Sequence, residues 1–286
     1  MRVRARIAYD GSCFAGWARQ PSQDTVAGRV EAALGMALRL AGPVATVCAG
    51  RTDAGVHARD QHIHADLPAE SWREHGHRLQ LRLNGILPAS IRVLAVDPAP
   101  AGFDARFSVR SRSYKYRVSD RVEVDPLLRG HVLHWKRRLD LSAMNEAAAA
   151  LLGEHDFAAY CRARPGASSV RTLSTLEWQR DADQLAVLTV TSDAFCHSMV
   201  RALVGALLSV GDGRRPVSWP AEVLASRRRT PAVTVAPGFP LVLEQVEYAD
   251  DLAAAADRAR RYRGAMIGGR PVAMKPPDDM VAPADG

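Results

Sequence analysis

Cysteine is scarce in this chain, and long apolar runs are missing. The four cysteines, Cys13, Cys48, Cys161 and Cys196, are widely spaced and contain no Cys-x-x-Cys pair, so we expect neither a disulfide framework nor a zinc knuckle. No run approaches the roughly 20 apolar residues of a membrane span. The basic N-terminus has no apolar stretch behind it, which argues against a signal peptide. We therefore expect a cytoplasmic protein with no membrane partner.

Acidic residues are outnumbered by basic ones. The 286 residues include 38 lysines and arginines against 31 aspartates and glutamates, which gives a formal net charge of +7. This balance favours a polyanionic partner, and nucleic acid is the first candidate. Hydrophobic residues make up 47% of the chain, enough for a sizeable core, and the length suits one large or two ordinary domains.

Strand-like and helix-like segments alternate along the chain. Apolar residues share one face of residues 2–9 and arginines share the other, which is typical of a half-buried strand whose basic face is either solvated or a phosphate-binding surface. Similar patterns predict strands at 44–49, 61–65, 91–96, 113–118, 131–135, 173–180, 185–191 and 241–248. Helices are predicted from Asp24 or Thr25 to about 41, and at 70–84, 142–152, 195–210, 219–229 and 250–263. This alternation indicates an α+β fold with helices packed on a sheet.

A polar loop follows the strand predicted at 44–49. Gly50 and Gly55 bracket Arg51, Thr52 and Asp53, and glycines allow a tight turn that holds side chains at a fixed, exposed angle. A nearby cation favours the ionised form of a carboxylate, which suits a nucleophile better than a general acid. The alternative is an ordinary loop with a local Arg–Asp ion pair.

Cations and tyrosines are interleaved between residues 103 and 117. Five basic residues occur there with no acid after Asp104, and Tyr114 and Tyr116 share one face of the predicted strand. Cations for phosphates and rings for stacking are what recognition of a flipped or single-stranded nucleotide requires. The alternative is that these tyrosines pack in the core of the sheet.

One arginine lies in an otherwise apolar helix. Arg201 is the only charged residue from Ser198 to Val210, and a buried arginine is rare unless it is paired. The helix itself offers no acid, so the partner must come from elsewhere, and Asp53 is a candidate. The alternative is that Arg201 extends from the first turn of the helix into water.

Several ordered motifs make the chain resemble the tRNA pseudouridine synthase A family. The resemblance covers residues 7–248 and is most specific in Arg51-Thr52-Asp53-Ala54-Gly55-Val56-His57. The other matches are Tyr9-Asp10-Gly11, Phe14-Ala15-Gly16-Trp17, Asn84 with Leu87-Pro88, Phe103-Asp104-Ala105-Arg106-Phe107, Ser111-Arg112-Ser113-Tyr114-Lys115-Tyr116, His155-Asp156-Phe157, Phe195-Cys196-His197-Ser198-Met199-Val200-Arg201 and Val246-Glu247-Tyr248.

The resemblance implies a cofactor-free isomerase that converts uridine to pseudouridine at positions 38 to 40 of the tRNA anticodon stem-loop. It implies that Asp53 is the nucleophile, that Arg201 pairs with it, and that Tyr114 lies against the flipped base and accepts the ring proton. Arg51 would displace or replace the base, and Leu241 would line the uracil pocket. The residue before Leu241 is Pro240, where the family usually has glycine.

The implied architecture is two ferredoxin-like α+β halves whose antiparallel sheets join into one extended sheet, with a central catalytic cleft. The halves would be residues 1–105, with the catalytic loop, and 106–248; residues 249–286 would be a partly helical or loose extension. The family is typically a homodimer, with one tRNA reaching across both subunits.

Three alternatives remain at this point. The first is a related pseudouridine synthase with another RNA target, and the second is a non-catalytic RNA-binding protein. The third is a metal-dependent nuclease built on His57, His62 and His64, two of which share a strand face. No carboxylate or cysteine set completes this group at a usual metal-ligand spacing, so we expect no metal and solvated strand histidines.

Overall fold

The computed structural model describes residues 1–123, 125–162 and 167–257. Its first strand, β1 (Arg2–Tyr9), buries alternate apolar residues and turns its arginines outward. After a helix, the two-residue β2 (Val47–Cys48) pairs with β3 (His57–Asp66). β1 lies between β3 and β4 (Ile91–Pro98) and is antiparallel to both. The alternation in the sequence therefore places the apolar side of β1 in the core.

The helices between β1 and β4 begin near the predicted residues, but the first ends earlier than predicted and the second is divided in two. Helix α1 (Val26–Ala37) has Thr25 as its N-cap, whose hydroxyl accepts the N–H of Gly28 at 3.3 Å. The helix predicted at 70–84 is two helices, α2 (Ala69–His75) and α3 (Leu79–Ile86), separated by the 3₁₀ turn Gly76–Arg78. Glycine is a poor helix former, which accounts for a break at this point.

Six further strands follow, one of which has only two residues. These are β5 (Val109–Ser119), β6 (Leu133–His134), β7 (Gly153–Asp156), β8 (Val170–Arg180), β9 (Ala186–Ser192) and β10 (Leu241–Tyr248). The sheet order is β4-β1-β3-β10-β5-β9-β8-β7, with β2 beside β3 and β6 beside β5. One mixed ten-stranded sheet therefore runs through both halves.

The two halves of the sheet meet at β3 and β10. These strands are parallel through Val242 opposite His57 and Leu243 opposite Ala58. β10 is antiparallel to β5, where Leu243 lies opposite Tyr114. The end of the polar loop is thus in the middle of the sheet, next to the strand that carries the predicted tyrosine.

Helices cover the sheet in the second half as well. They are α4 (Leu141–Ala149), α5 (Met199–Gly211) and α6 (Trp219–Ser226), and every residue of α5 except Arg201 is buried. Residues 252–257 are helical, and the remainder of the helix predicted to reach 263 lies outside the described residues. Within the described residues, no helix has the length and apolar character needed to span a lipid bilayer. The predicted α+β class, with helices packed on one extended sheet, is confirmed.

Candidate active site

The polar loop between β2 and β3 is held at its start by a buried side-chain amide. Gln61 on β3 is fully buried, and its Nε2 donates to Gly50 O at 2.6 Å while its Oε1 accepts the Gly50 N–H at 3.4 Å. One step further, the hydroxyls of Tyr9 and Thr52 hydrogen-bond at 2.8 Å. The loop backbone is therefore fixed before it reaches Asp53, as a preorganised site requires.

Two glycines from distant segments pack against the same loop. Gly16 has a φ of +102°, and a Cβ there would lie 2.9 Å from Thr52 O; the neighbouring Trp17 N–H donates to that oxygen at 3.0 Å. A Cβ on Gly238 would lie 2.5 Å from Ala54 O. Only glycine permits these approaches without displacing the backbone beside Asp53.

The carboxylate of Asp53 faces three polar side chains from the start of α5. Arg201 Nη1 donates to Oδ2 at 3.1 Å and Ser198 Oγ donates to the same oxygen at 3.4 Å, while His197 Nε2 lies 3.5 Å from Oδ1. The side chains of Asp53 and Arg201 are 26% and 22% exposed. A partly shielded ion pair of this kind fixes the carboxylate and still leaves it open to a substrate.

Arg201 also fixes the chain that leads to β10. Its Nε donates to Ala236 O at 2.6 Å, and the Ala236 N–H donates back to Arg201 O at 3.0 Å. The alternative for this residue is that its guanidinium extends into bulk water. This is not the case, because Nη1 donates to Asp53 and Nε donates to Ala236.

Ser198 and His197 are site residues that the sequence does not single out. Ser198 caps α5 with a φ of +64°, in the left-handed region that non-glycine residues avoid, and backbone strain of this kind concentrates at functional sites. Both residues lie in the segment from Phe195 to Arg201 that carries part of the family resemblance, within one turn of the lone charge Arg201, but the resemblance assigns them no role. Polarity at that position gives no reason to expect contact with a loop so far away in the chain.

Tyr114 lies on the buried face of β5, beside the loop. Its ring is edge-on to Phe195, with 5.3 Å between centroids, and a Cβ on Gly50 would be 3.7 Å from its hydroxyl oxygen. Burial raises the pKa of Tyr114, the charge of Arg112 opposes that rise, and Asp53 adds to it. The hydroxyl therefore keeps its proton at neutral pH.

Arg51 and Leu241 differ in exposure. Arg51 is exposed, and no ion pair in the described part of the chain joins it to Asp53, so the local pair proposed for the loop is not formed. Leu241 is buried as the first residue of β10, opposite Tyr116, and its N–H donates to Gly238 O at 3.0 Å. Pro240 precedes it without interrupting the strand.

His57 and His64 hydrogen-bond to the backbone, whereas His62 Nε2 lies 3.1 Å from Asp60 Oδ1. His57 Nδ1 accepts the Gly11 N–H at 3.0 Å, and its Nε2 lies 2.7 Å from Phe239 O. Because a carbonyl oxygen can only accept, Nε2 carries the hydrogen. His64 is buried and its Nδ1 accepts the Ala105 N–H at 2.9 Å, so the expectation of a solvated histidine is wrong there. Across the described residues, no three or more His, Cys, Asp or Glu side chains are arranged to hold a metal ion.

The cysteine spacing misleads in one respect. Cys161 and Cys196 form a disulfide, with 5.6 Å between their Cα atoms and a sequence separation of 35. The prediction from spacing does not anticipate this pair, because the distance between two cysteines along the chain does not reveal their proximity in the fold. Cys13 and Cys48 are free thiols.

Proteins of similar sequence share one name. A family model described as tRNA pseudouridine synthase matches residues 147–249. tRNA pseudouridine synthase A of Streptomyces griseus is 55% identical over 267 residues, which cover 92% of this chain and 94% of the relative. tRNA pseudouridine synthase A of Frankia casuarinae is 53% identical over 266 residues, covering 92% and 96%. The chain belongs to the tRNA pseudouridine synthase A family.

Membership of this family confirms the predicted activity class. The chain is a pseudouridine synthase, an isomerase. Among solved structures there is a weak likeness, with a TM-score of 0.32 and 10% identity over 72% of this chain and 53% of the other, to a chain in a structure of an H/ACA RNP bound to a substrate RNA containing 2'-deoxyuridine.

Proposed function

We propose that this protein converts uridine to pseudouridine at positions 38 to 40 of the tRNA anticodon stem-loop, with Asp53 as the catalytic nucleophile. The observation that carries the proposal is the placement of the Asp53 carboxylate, held through Oδ2 by Arg201 and Ser198 at the surface of a preorganised loop. A tRNA substrate agrees with the relatives' name and with the net charge of +7.

The reaction rearranges bonds without any external reactant. The bond from the ribose C1' to uracil N1 breaks, the base turns, and a bond from C1' to C5 forms. C5 loses its hydrogen as a proton and N1 gains one, so atoms and charge balance. Asp53 supplies the carboxylate for this exchange, and no cofactor or metal takes part.

The base must leave its stack to reach Asp53, because a half-buried carboxylate cannot approach the ribose of a nucleotide inside a helix. Tyr114 lies against the flipped base. Since its raised pKa keeps the phenol protonated, it accepts the C5 proton only as it releases its own proton to solvent water. Arg51, exposed at the tip of the loop, takes the place of the base in the RNA, and Leu241 lines the uracil pocket.

We further infer that residues 1–105 and 106–248 are two halves with the catalytic cleft between them. The nucleophile comes from the first range, and Tyr114 and Arg201 come from the second. Residues 249–286 form an extension, most of which lies outside the described residues.

The working unit we propose is a cytoplasmic homodimer with one tRNA reaching across both subunits. Two apolar side chains in residues 121–130 support an interface, because Val122 and Leu127 are 89% and 87% exposed. Sedimentation at micromolar concentration tests the state directly. A monomer that modifies tRNA at the full rate would overturn the dimer and leave the reaction untouched.

Transcripts with a single uridine at position 38, 39 or 40 test the target. Pseudouridine is mapped by chemical labelling after incubation with the purified protein, with a transcript that has cytidine at all three positions as control. We expect modification at each of the three positions. Modification only elsewhere in tRNA, or only in other RNAs, would contradict the proposed target. The protein would then be a related synthase with another target.

A further inference from the structure

The guanidinium of Arg112 on β5 is buried and, among the residues that the structure describes, donates only to main-chain carbonyls. Its Nε and Nη2 donate to Ala49 O at 3.0 and 2.6 Å, Nη1 donates to Asp193 O at 2.5 Å, and Nη2 also donates to Arg106 O at 3.1 Å. The side chain sits on the same face of the strand as Tyr114. Carbonyl oxygens from three separate segments of the chain therefore accept hydrogen bonds from one guanidinium.

Burying a charged guanidinium against carbonyls rather than a carboxylate costs free energy of folding, so this arrangement calls for an explanation. A buried arginine normally faces a carboxylate, as Arg180 does with Asp120 at 2.6 Å. Within the described residues, no hydrogen bond joins Arg112 to a carboxylate; the nearby Asp193 uses Oδ1 to accept from Thr172 N and Ser192 Oγ. Burial accordingly lowers the pKa of Arg112. A fold that needed only a filled space here would gain from an apolar residue.

Two of the three carbonyls belong to segments that carry residues of the site. Ala49 is the last residue before Gly50 of the catalytic loop, and Asp193 begins the segment that leads to Ser198 and Arg201. The Arg112 side chain also packs against the loop itself, since a Cβ on Gly50 would lie 3.5 Å from Arg112 Nε.

We propose that Arg112 is a positioning residue that sets the approach of Asp53 to Arg201 by fixing the carbonyls of Ala49 and Asp193 around one guanidinium. The proposal rests on the proposed role of Asp53. Lysine cannot replace it, because one ammonium on a flexible stem does not present the fixed fork of donors that these carbonyls require.

The test is the substitution Arg112→Lys, assayed for kcat, KM and tRNA binding on an unmodified transcript with uridine at position 39. A small displacement of Asp53 affects the chemical step far more than binding, so we expect kcat to fall about 100-fold while KM and Kd stay within about twofold. Arg180→Lys is the matched control: it removes an arginine fork far from the site, and we expect lower thermal stability with kcat within about threefold of the wild type.

Hydrogen exchange supplies a second measurement that does not depend on the reaction. In Arg112→Lys we expect faster exchange in peptides covering 49–55 and 194–198, with no change in the helix α4. Arg112→Gln, which keeps a donor and loses the charge, is used in the same way if the lysine variant does not fold.

A kcat within about threefold of the wild type, or unchanged exchange in both peptides, would overturn the positioning role. Equal loss of kcat in Arg180→Lys would do the same, because the effect would then follow from lost stability. If the wild type forms no pseudouridine in any tRNA, the proposed function fails, and the exchange measurement still decides whether Arg112 orders the two segments.

Discussion

Arg201 Nη1 donates to Asp53 Oδ2 at 3.1 Å, although 148 residues separate the two in the chain. The carboxylate comes from the loop before β3 and the guanidinium comes from the first turn of α5. Removing the cation leaves the carboxylate with two weaker partners, at 3.4 and 3.5 Å.

Arg201→Met is therefore expected to lower kcat about 100-fold or more, because it removes a charged donor from the reacting group and releases Ala236 O as well. Arg201→Lys keeps the charge but not both contacts, and we expect its kcat to lie between that of the methionine variant and the wild type. The measurement is single-turnover pseudouridine formation at saturating enzyme. A methionine variant as fast as the wild type would show that the ion pair has no part in the reaction.

Gly238 is expected to tolerate no side chain. A Cβ there would lie 2.5 Å from Ala54 O, so Gly238→Ala should push the catalytic loop and lower kcat at least tenfold. Gly85→Ala is the control, because nothing lies within 4 Å of that Cβ and the residue is in a helix; there we expect an unchanged kcat and a gain in stability of about 0.5–1 kcal/mol. Equal activity of the two variants would mean that the close approach is unimportant.

Tyr114→Phe separates the ring from the hydroxyl. We expect kcat to fall about 10–100-fold with tRNA binding unchanged, because the ring still packs against the base and the proton relay is lost. Tyr116→Phe is matched to it: Tyr116 Oη donates to Pro237 O at 3.1 Å, and its loss should cost about 1 kcal/mol of stability and leave kcat intact.

The pH dependence of the reaction rate tests the protonation state of Tyr114. Since burial raises the pKa of Tyr114 above that of a free tyrosine, the wild-type rate should show no ionisation of Tyr114 up to about pH 9. A rate that climbs with pH in that range in the wild type, and not in Tyr114→Phe, would mean that the phenolate is the active form.

Asp120 is expected to make stability depend on pH far from the site. Burial alone would raise the pKa of Asp120, but the hydrogen bonds from Arg180 and the Leu139 N–H, with the charges of Arg180 and Arg138, outweigh it and lower the pKa. A lowered pKa in the folded state gives stability that is present above the ordinary carboxyl pKa and is lost as pH falls through the folded value.

Urea unfolding at pH 7 and at pH 3 measures this effect. Asp120→Asn should lose about 3 kcal/mol at pH 7, because Arg180 is left without its carboxylate, and should show a smaller further loss at pH 3 than the wild type. Asp66→Asn, at an exposed pair with Arg2, should change stability by less than about 1 kcal/mol. Parallel pH dependence in the wild type and Asp120→Asn would remove Asp120 from this role.

Local patterns in the sequence predict much of the fold. The alternation in β1 and the N-cap Thr25 depend on neighbouring residues only, so they are recognisable before any tertiary contact forms. The helix predicted at 70–84 is interrupted by the 3₁₀ turn Gly76–Arg78, because glycine, a poor helix former, lies in the middle of the predicted span. The strand predicted at 44–49 shrinks to Val47–Cys48.

The site is only partly predictable. A lone charge in an apolar helix indicates that Arg201 needs a distant acid, and the family motif points to Asp53. Other features are not predictable from the sequence. These are the contacts of Gly16 and Gly238 with the loop, the left-handed backbone of Ser198 and the pairing of Cys161 with Cys196. Each depends on where another segment passes in space, and no local pattern in the sequence carries that information.

The most direct test of the account is the substitution Asp53→Asn, which keeps the size of the side chain and removes its charge. Pseudouridine formation is measured on a tRNA transcript with uridine at position 39, and tRNA binding is measured in parallel. We predict that turnover is abolished while the Kd for tRNA stays within about threefold of the wild type, because Asp53 contributes to chemistry and the basic surface contributes to binding. Turnover at a rate comparable to that of the wild type would contradict the assignment of Asp53 as the nucleophile.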